Sequence, residues 1–424
     1  MEAPSVPTGT GTSQETPSAL WPRILMFLAV IGPGIITSNI DNDAGGIATY
    51  SLCGANFGYS LVWTLIPITF FLLLIQEMSV RLGAVTGKGL SDLIREKFGV
   101  RITFYVLIII ILTNIGNIIA EFAGIAAALE VVGISRFVSV PLGALFIWVL
   151  VLKGNYKSVE KVFLFACLFY FSYIITGFMV KPDFHQIVKA SFPPEIRFDR
   201  AYIAMGLGLL GTTIAPWMQF YLQSSVVEKR LSVRDLTAAR VDVFVGSIVV
   251  GIVAFFIVMV CAEVLYPNNI SIETAKDAAL ALKPLAGEYC TYLFAFGLLN
   301  ASLFAASILP LSTAYLVCEG LGWESGIDNT FMEAPLFYIL YTLLVFGGAL
   351  VILIPNIPLI PIMYVSQIIN AVVLPIIIFF MLTLINDKRL MGEHVNRGVL
   401  NLVSYLAAIL FSLLVLSFAV INLI

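Results

Sequence analysis

Apolar runs of about 20 residues recur along the chain, separated by short polar joints. Each is long enough to cross a bilayer core of about 30 Å as a helix. The pattern predicts eleven membrane spans, at approximately 24–57, 60–85, 102–130, 137–153, 160–181, 200–228, 240–265, 288–318, 335–355, 358–384 and 399–423. Inside the first, the stretch "SNIDNDAGG" (residues 38–46) breaks the pattern with two carboxylates, Asp41 and Asp43, and two amides. Lipid offers such groups no water, so an acid at that depth is expected to serve a function.

The pattern also repeats on a larger scale. Segment one reads "GPGIITSNIDNDAGG" from Gly32, and segment six reads "GLGLLGTTIAPWMQF" from Gly206. Both open G-x-G, and both lose helical character about nine residues later. With five spans per unit, the second unit enters the membrane from the opposite side. Inverted repeats whose first helices break at matching positions point to a transport site at the midplane. Chance coincidence of two G-x-G openings among 32 glycines is the alternative, and the five-span spacing weakens it. In segment one the Gly45-Gly46 pair and the Asx cluster disfavour helix; in segment six Pro216 removes a donor. The freed carbonyls and the Asp43 carboxylate would form a small cavity of hard oxygen ligands, suited to Mg²⁺, Ca²⁺ or Mn²⁺. Asp43 is also a good N-cap before Ala44, a role that does not exclude coordination.

Composition agrees with a membrane protein. The chain is 60% hydrophobic and 12% charged, with a mean hydropathy of +1.00, against about 25% charged residues in soluble domains. A net charge of −3 suggests no nucleic-acid partner. With the N-terminus inside, 16 of the 23 Lys and Arg residues fall on the inner side, so a cytoplasmic N-terminus in the plasma membrane is expected. Five scattered cysteines without a CxxC pair read as packing residues. Residues 1–22 are expected to be a disordered cytoplasmic tail. Residues 23–424 would then form one transporter domain, with repeat one at about 24–181, repeat two at about 200–384 and an extra helix at about 399–423.

Several stretches resemble the NRAMP family of divalent-metal transporters: the Gly-Pro-Gly opening, "LGAVTGKGLSDLIREKFG", "AEFAGIAAAL", "STAYLVCEGLGWE" and "SQIINAVVLPIIIFFMLTLINDKRLMG". The resemblance covers about residues 24–424. It implies an all-α membrane protein with the LeuT-type fold, eleven transmembrane helices, 5+5 inverted repeats, and broken helices 1 and 6. The family's Asp-Pro-Gly-Asn becomes Asp43-Ala44-Gly45-Gly46, and its Met-Pro-His becomes Ala215-Pro216-Trp217. The resemblance therefore implies a metal held by Asp43 and the Ala215 carbonyl, with Gly46 supplying backbone or room for water. The family's soft sulfur is missing at 215, and a side-chain amide is missing at 46. A wider, oxygen-lined site suits Mg²⁺, which sheds water reluctantly. In this the chain is similar to the prokaryotic NRAMP-related magnesium transporters, which move Mg²⁺ as well as Mn²⁺. A family Gln that joins the metal matches Gln367, and Asn370 shares its helix face; helix–helix hydrogen bonds are an equal alternative for both.

Proton coupling is where the sequence departs further. The family's helix-six histidine corresponds to Gln223, and its helix-three Asp to Ile118, while Glu121 survives. His185 and His394 fall in loops, and "FYILYTLLVFGGALVILIP" carries no charge. With few titratable carriers, transport is expected to be uncoupled from protons. Asp41, Trp217, Gln223 and Glu121 are expected around the site or in its vestibule, while Gln76 and Glu77 belong to packing or gating. The expected function is alternating-access transport of Mg²⁺, and of Mn²⁺ with it, with the metal as substrate, no resident cofactor and no enzymatic activity. A proton-coupled Mn²⁺/Fe²⁺ importer and an amino-acid transporter of the same fold are the alternatives. The acids at 41 and 43 disfavour the latter, because they would repel a substrate carboxylate. The lipid bilayer is the other expected partner. Nothing in the sequence fixes the oligomeric state, and a monomer is compatible with it.

Overall fold

A computed structural model of the chain describes residues 42–153, 167–194, 196–326 and 330–423. The principal helices are α1 (Ala44–Phe57), α2 (Leu65–Thr86), α3 (Leu90–Phe98), α4 (Val100–Val131) and α5 (Arg136–Leu152). They continue as α6 (Phe171–Met179), α7 (Phe184–Ser191), α8 (Arg200–Thr213), α9 (Pro216–Glu228) and α10 (Leu236–Val264). The last four are α11 (Cys290–Leu321), α12 (Pro335–Ile352), α13 (Leu359–Ile385) and α14 (Gly398–Leu423). No strand occurs among the described residues.

Each predicted span has its helix. Eight helical stretches are long and apolar enough to cross a membrane. The remaining three predicted spans are represented by shorter helices: α5 with 17 residues, α6 with 9, and α1 with 14. Residues 24–41 lie outside the described residues, and with them Asp41; so do residues 154–166, the joint after the fourth predicted span and the start of the fifth. His185 lies on the short helix α7, capped by Asp183, rather than in a loop; the loop pattern missed a helix of 8 residues that spans nothing.

Local chemistry sets the ends that matter. Glycines in the left-handed region, at Gly87 (φ +65°) and Gly99 (φ +83°), close α2 and α3. Asp199 caps α8 by accepting from Tyr202 N at 2.9 Å. At the other end of α8, Ile214 (φ −127°, ψ 69°) and the extended Ala215 (φ −75°, ψ 139°) interrupt the sixth span. Pro216 then begins α9 at the position where its missing N–H costs nothing.

The centre of the bundle is α1, α4, α8, α11 and α13. Small residues let these helices touch. Gly54 of α1 faces the Val258 carbonyl and Cys261 of α10, Gly124 of α4 faces Ala44 and Ser302, and Gly211 of α8 lies against the Gln367 backbone of α13. At the edge, α14 exposes Leu402, Leu406, Leu410, Leu413 and Leu416, an apolar face suited to lipid. Cys53, Cys261, Cys290 and Cys318 are buried free thiols.

Candidate functional site

The N-terminus of α1 ends in the buried core. Asp43 caps it, its Oδ1 accepting from Gly46 N at 2.6 Å. The next free amide, Ala44 N, donates to Glu121 Oε2 of α4 at 3.3 Å. Two neighbouring carboxyl groups, hydrogen-bonded to one another, thus meet the N-terminal end of one helix. Glu121 is fully buried and its Oε1 has no hydrogen-bond partner. Beside them, Asn42 is buried with Oδ1 unpartnered, and its carbonyl accepts from Tyr170 Oη. Gly46 therefore serves through its N–H, which fixes the Asp43 carboxylate.

α13 reaches this cluster with Gln367. Its Nε2 lies so near Gly45 that an added Cβ would clash with it, and the same Cβ would stand 3.3 Å from Asp43 Oδ1. Only glycine at 45 admits the amide. Asn370 is turned the other way: its Nδ2 donates to Gln367 Oε1 at 2.9 Å and to Asn117 Oδ1 at 3.0 Å, and its Oδ1 accepts from Asn117 Nδ2 at 2.9 Å. The helical spacing of three that suggested both residues for the site is correct, but Asn370 stands behind Gln367 and not beside Asp43.

The sixth span supplies the facing break. Tyr50 Oη of α1 and Thr213 Oγ1, in the last turn of α8, are 2.8 Å apart and tie the first span to the sixth. The Ala215 carbonyl accepts from Met218 N at 3.2 Å and lies 3.5 Å from Gln219 Nε2, while Ala215 N donates to Met218 Sδ at 3.2 Å. A thioether is thus present at the break despite the alanine at 215, supplied one turn along by a residue the sequence pattern did not single out. Trp217 is buried against Tyr221, and its carbonyl accepts from Ser312 Oγ at 3.4 Å.

Other expected residues lie elsewhere. Gln223 is two turns from Ala215, its Nε2 donating to the Lys88 carbonyl at 2.8 Å, and so is remote from the break. Ile118 faces away from Asp43, its Cγ2 standing 2.6 Å from where a Cβ on Gly348 of α12 would be. Gln76 is fully buried with its amide unpartnered, whereas Glu77 pairs with Arg81 and Arg240, both at 2.9 Å.

A family model for natural resistance-associated macrophage protein-like sequences matches residues 34–420. The chain belongs to the Nramp family. Similar relatives include the divalent metal cation transporter MntH of Deinococcus radiodurans, 26% identical over 403 residues (92% of this chain and 88% of that one). The protein of the same name from Bacillus subtilis is 26% identical over 399 residues, covering 91% and 90%. Among solved structures, a manganese transporter of Eremococcus coleocola superposes with a TM-score of 0.78 at 21% identity, covering 97% of this chain and 88% of that one. MhsT in complex with L-phenylalanine superposes at 0.55 with 12% identity, covering 90% and 98%. These likenesses agree with the LeuT-type fold expected from the broken spans.

Within this Nramp chain, no three His, Cys, Asp or Glu side chains cluster tightly enough for a metal among the described residues. An ion at the breaks would meet carboxylate, amide and backbone oxygens, with the Met218 sulfur nearby. Two carboxylates side by side in a dry setting repel, and a dication offsets both. The sequence reading missed Met218, Asn42 and Asn117. For Asn117 a signal existed: Asn114, Asn117 and Glu121 follow the 3–4 spacing of one helix face.

Proposed function

We propose that this Nramp-family transporter moves Mg²⁺, and Mn²⁺ with it, by alternating access and without accompanying protons. The ion sits between the start of α1 and the start of α9. Asp43 supplies charge, Gln367 an amide oxygen and Ala215 its carbonyl, while the small side chains at 46 and 215 leave room for retained water. The names of the relatives support a divalent cation as cargo. The observation that carries the choice of Mg²⁺ is the break at Ala215: position 215 offers a methyl group, and the nearby Met218 sulfur is already an acceptor for Ala215 N.

The uncoupled character is supported by the packing of α4 on α12. Ile118 meets Gly348 there, and a cavity of about 360 Å³ between α4, α11 and α12 is lined by Ile111, Ile115, Leu340 and Leu344, with Thr313 as its hydroxyl. Such a lining carries no proton. Two charges crossing 100 mV release about 4.6 kcal/mol, so inward transport needs no second ion. We place the N-terminus in the cytoplasm, on the bias of Lys and Arg. The tail expected at residues 1–22 lies outside the described residues, and we read the rest as a single transporter domain in the plasma membrane.

A proton-coupled Mn²⁺ importer is the second reading, and two observations favour it. Met218 brings a soft sulfur to the break, and Glu121 adjoins Asp43, where an arriving dication would displace any proton the pair holds. Uptake of Mg²⁺ and Mn²⁺ into proteoliposomes, each competed by the other, separates the readings. The proposal expects saturable Mg²⁺ uptake within about tenfold of Mn²⁺ in efficiency. Mn²⁺ uptake with no Mg²⁺ uptake would refute it.

A further inference from the structure

Behind Gln367 lies a set of amides that coordination does not use. Asn117 and Asn370 are each 1% exposed, and they exchange two hydrogen bonds across the α4–α13 interface, at 2.9 and 3.0 Å. The second Asn370 hydrogen goes to Gln367 Oε1 at 2.9 Å. This fixes the sense of the last amide: with its oxygen held from behind, Gln367 turns its nitrogen toward Gly45 and Asp43. A cation needs the opposite end, because an amide binds metal through oxygen and has no acceptor on nitrogen.

The reciprocal Asn117–Asn370 pair has a second setting with the same number of bonds. If both asparagine amides turn over, they still exchange two hydrogen bonds. Asn370 then presents Oδ1 to Gln367, and Gln367 donates from Nε2 and offers Oε1 to the cradle. One bond is given up, from Gln367 Nε2 to Ser366 Oγ at 3.1 Å, and a cation on Oε1 offsets that loss.

We propose that Asn117 and Asn370 form a two-setting amide switch that turns Gln367 from a hydrogen-bond donor, its Nε2 on Ser366 Oγ and packed against Gly45, into an oxygen ligand for the cation. Asn117 is a positioning residue: it touches no ion and acts through Asn370. The inference rests on the reading that the ion lies between Asp43 and Gln367.

The test is a double-mutant cycle on the full-length protein, with Mn²⁺ as the binding probe. Asn117→Leu should weaken Mn²⁺ binding and raise the uptake KM about tenfold while leaving the maximal rate within about twofold. In a Gln367→Ala background the same change should have no further effect, because its route to the ion is gone. Equal weakening in both backgrounds, or none in the wild type, would overturn the switch. Asn117→Thr, which keeps a polar side chain, gives the same cycle if the leucine variant does not fold. A protein that binds Mn²⁺ with this coupling but does not transport Mg²⁺ would sink the magnesium reading and leave the switch standing.

Discussion

At the scale of single residues, Asp43 joins structure to chemistry because one side chain both caps α1 and faces Glu121. Losing the cap costs about 1 kcal/mol, which a bundle of this size tolerates. Losing the charge leaves Glu121, held on Ala44 N, with carbonyls and amides, and one carboxylate does not neutralise a dication. Asp43→Ala should therefore yield monodisperse protein with metal uptake at the level of empty liposomes; near wild-type uptake would remove Asp43 from the site. The selectivity argument has its own test at Ala215. A methionine there adds a second thioether beside Met218 and fills space otherwise open to water, so Ala215→Met should raise Mn²⁺ over Mg²⁺ preference about tenfold, or ~1.4 kcal/mol. Competition uptake reads the ratio, and an unchanged ratio in Ala215→Met contradicts the argument from size and softness. Met218→Leu asks the complementary question: if the native sulfur binds metal, Mn²⁺ transport falls and Mg²⁺ transport does not.

At the scale of elements, the site lies where helix α1 begins and where the sixth span is interrupted. The sixth span stops at Thr213 and resumes at Pro216, and helix α1 of the first begins at Ala44. Helix α13 fits its Gln367 against Gly45, where no Cβ can stand. Gly45→Ala should cost about 1–3 kcal/mol through overpacking and reduce metal uptake more than tenfold, read by thermal melting and by transport; normal uptake would mean that the Gln367–Gly45 contact is dispensable. The helices themselves were legible in the chain, since runs of about 20 apolar residues admit one structure in lipid. The break at Pro216 was legible too, because proline is unsuited to a helix interior, but the break expected at Gly45-Gly46 is not there: both glycines lie in the first turn of α1, behind the Asp43 cap. What stands behind the site was not legible. An asparagine in an apolar helix has no visible partner until the neighbouring helix is placed, so Asn117 was overlooked and Asn370 was set one layer too far forward. Met218 was hidden for a similar reason: a thioether accepting from the N–H three residues back depends on the local turn and not on any periodic pattern.

At the scale of the whole molecule, the question is what crosses the membrane with the metal. The residues that line the α4–α12 contact are apolar, with Ile118 packed on Gly348. His185 and His394 lie outside the spanning helices, on α7 and in a short turn before α14. Among the described residues only Glu121, buried beside Asp43, offers a second acid near the ion. Uncoupled transport of a dication carries two net charges per cycle and responds to potential alone, whereas coupled transport moves protons at the same time. One measurement tests this central claim most directly. Proteoliposomes holding a pH-sensitive dye are given a Mg²⁺ gradient with the membrane potential clamped negative inside. The account predicts protein-dependent Mg²⁺ entry with no change in internal pH; acidification that requires both Mg²⁺ and the protein, and disappears in Glu121→Gln, would contradict it.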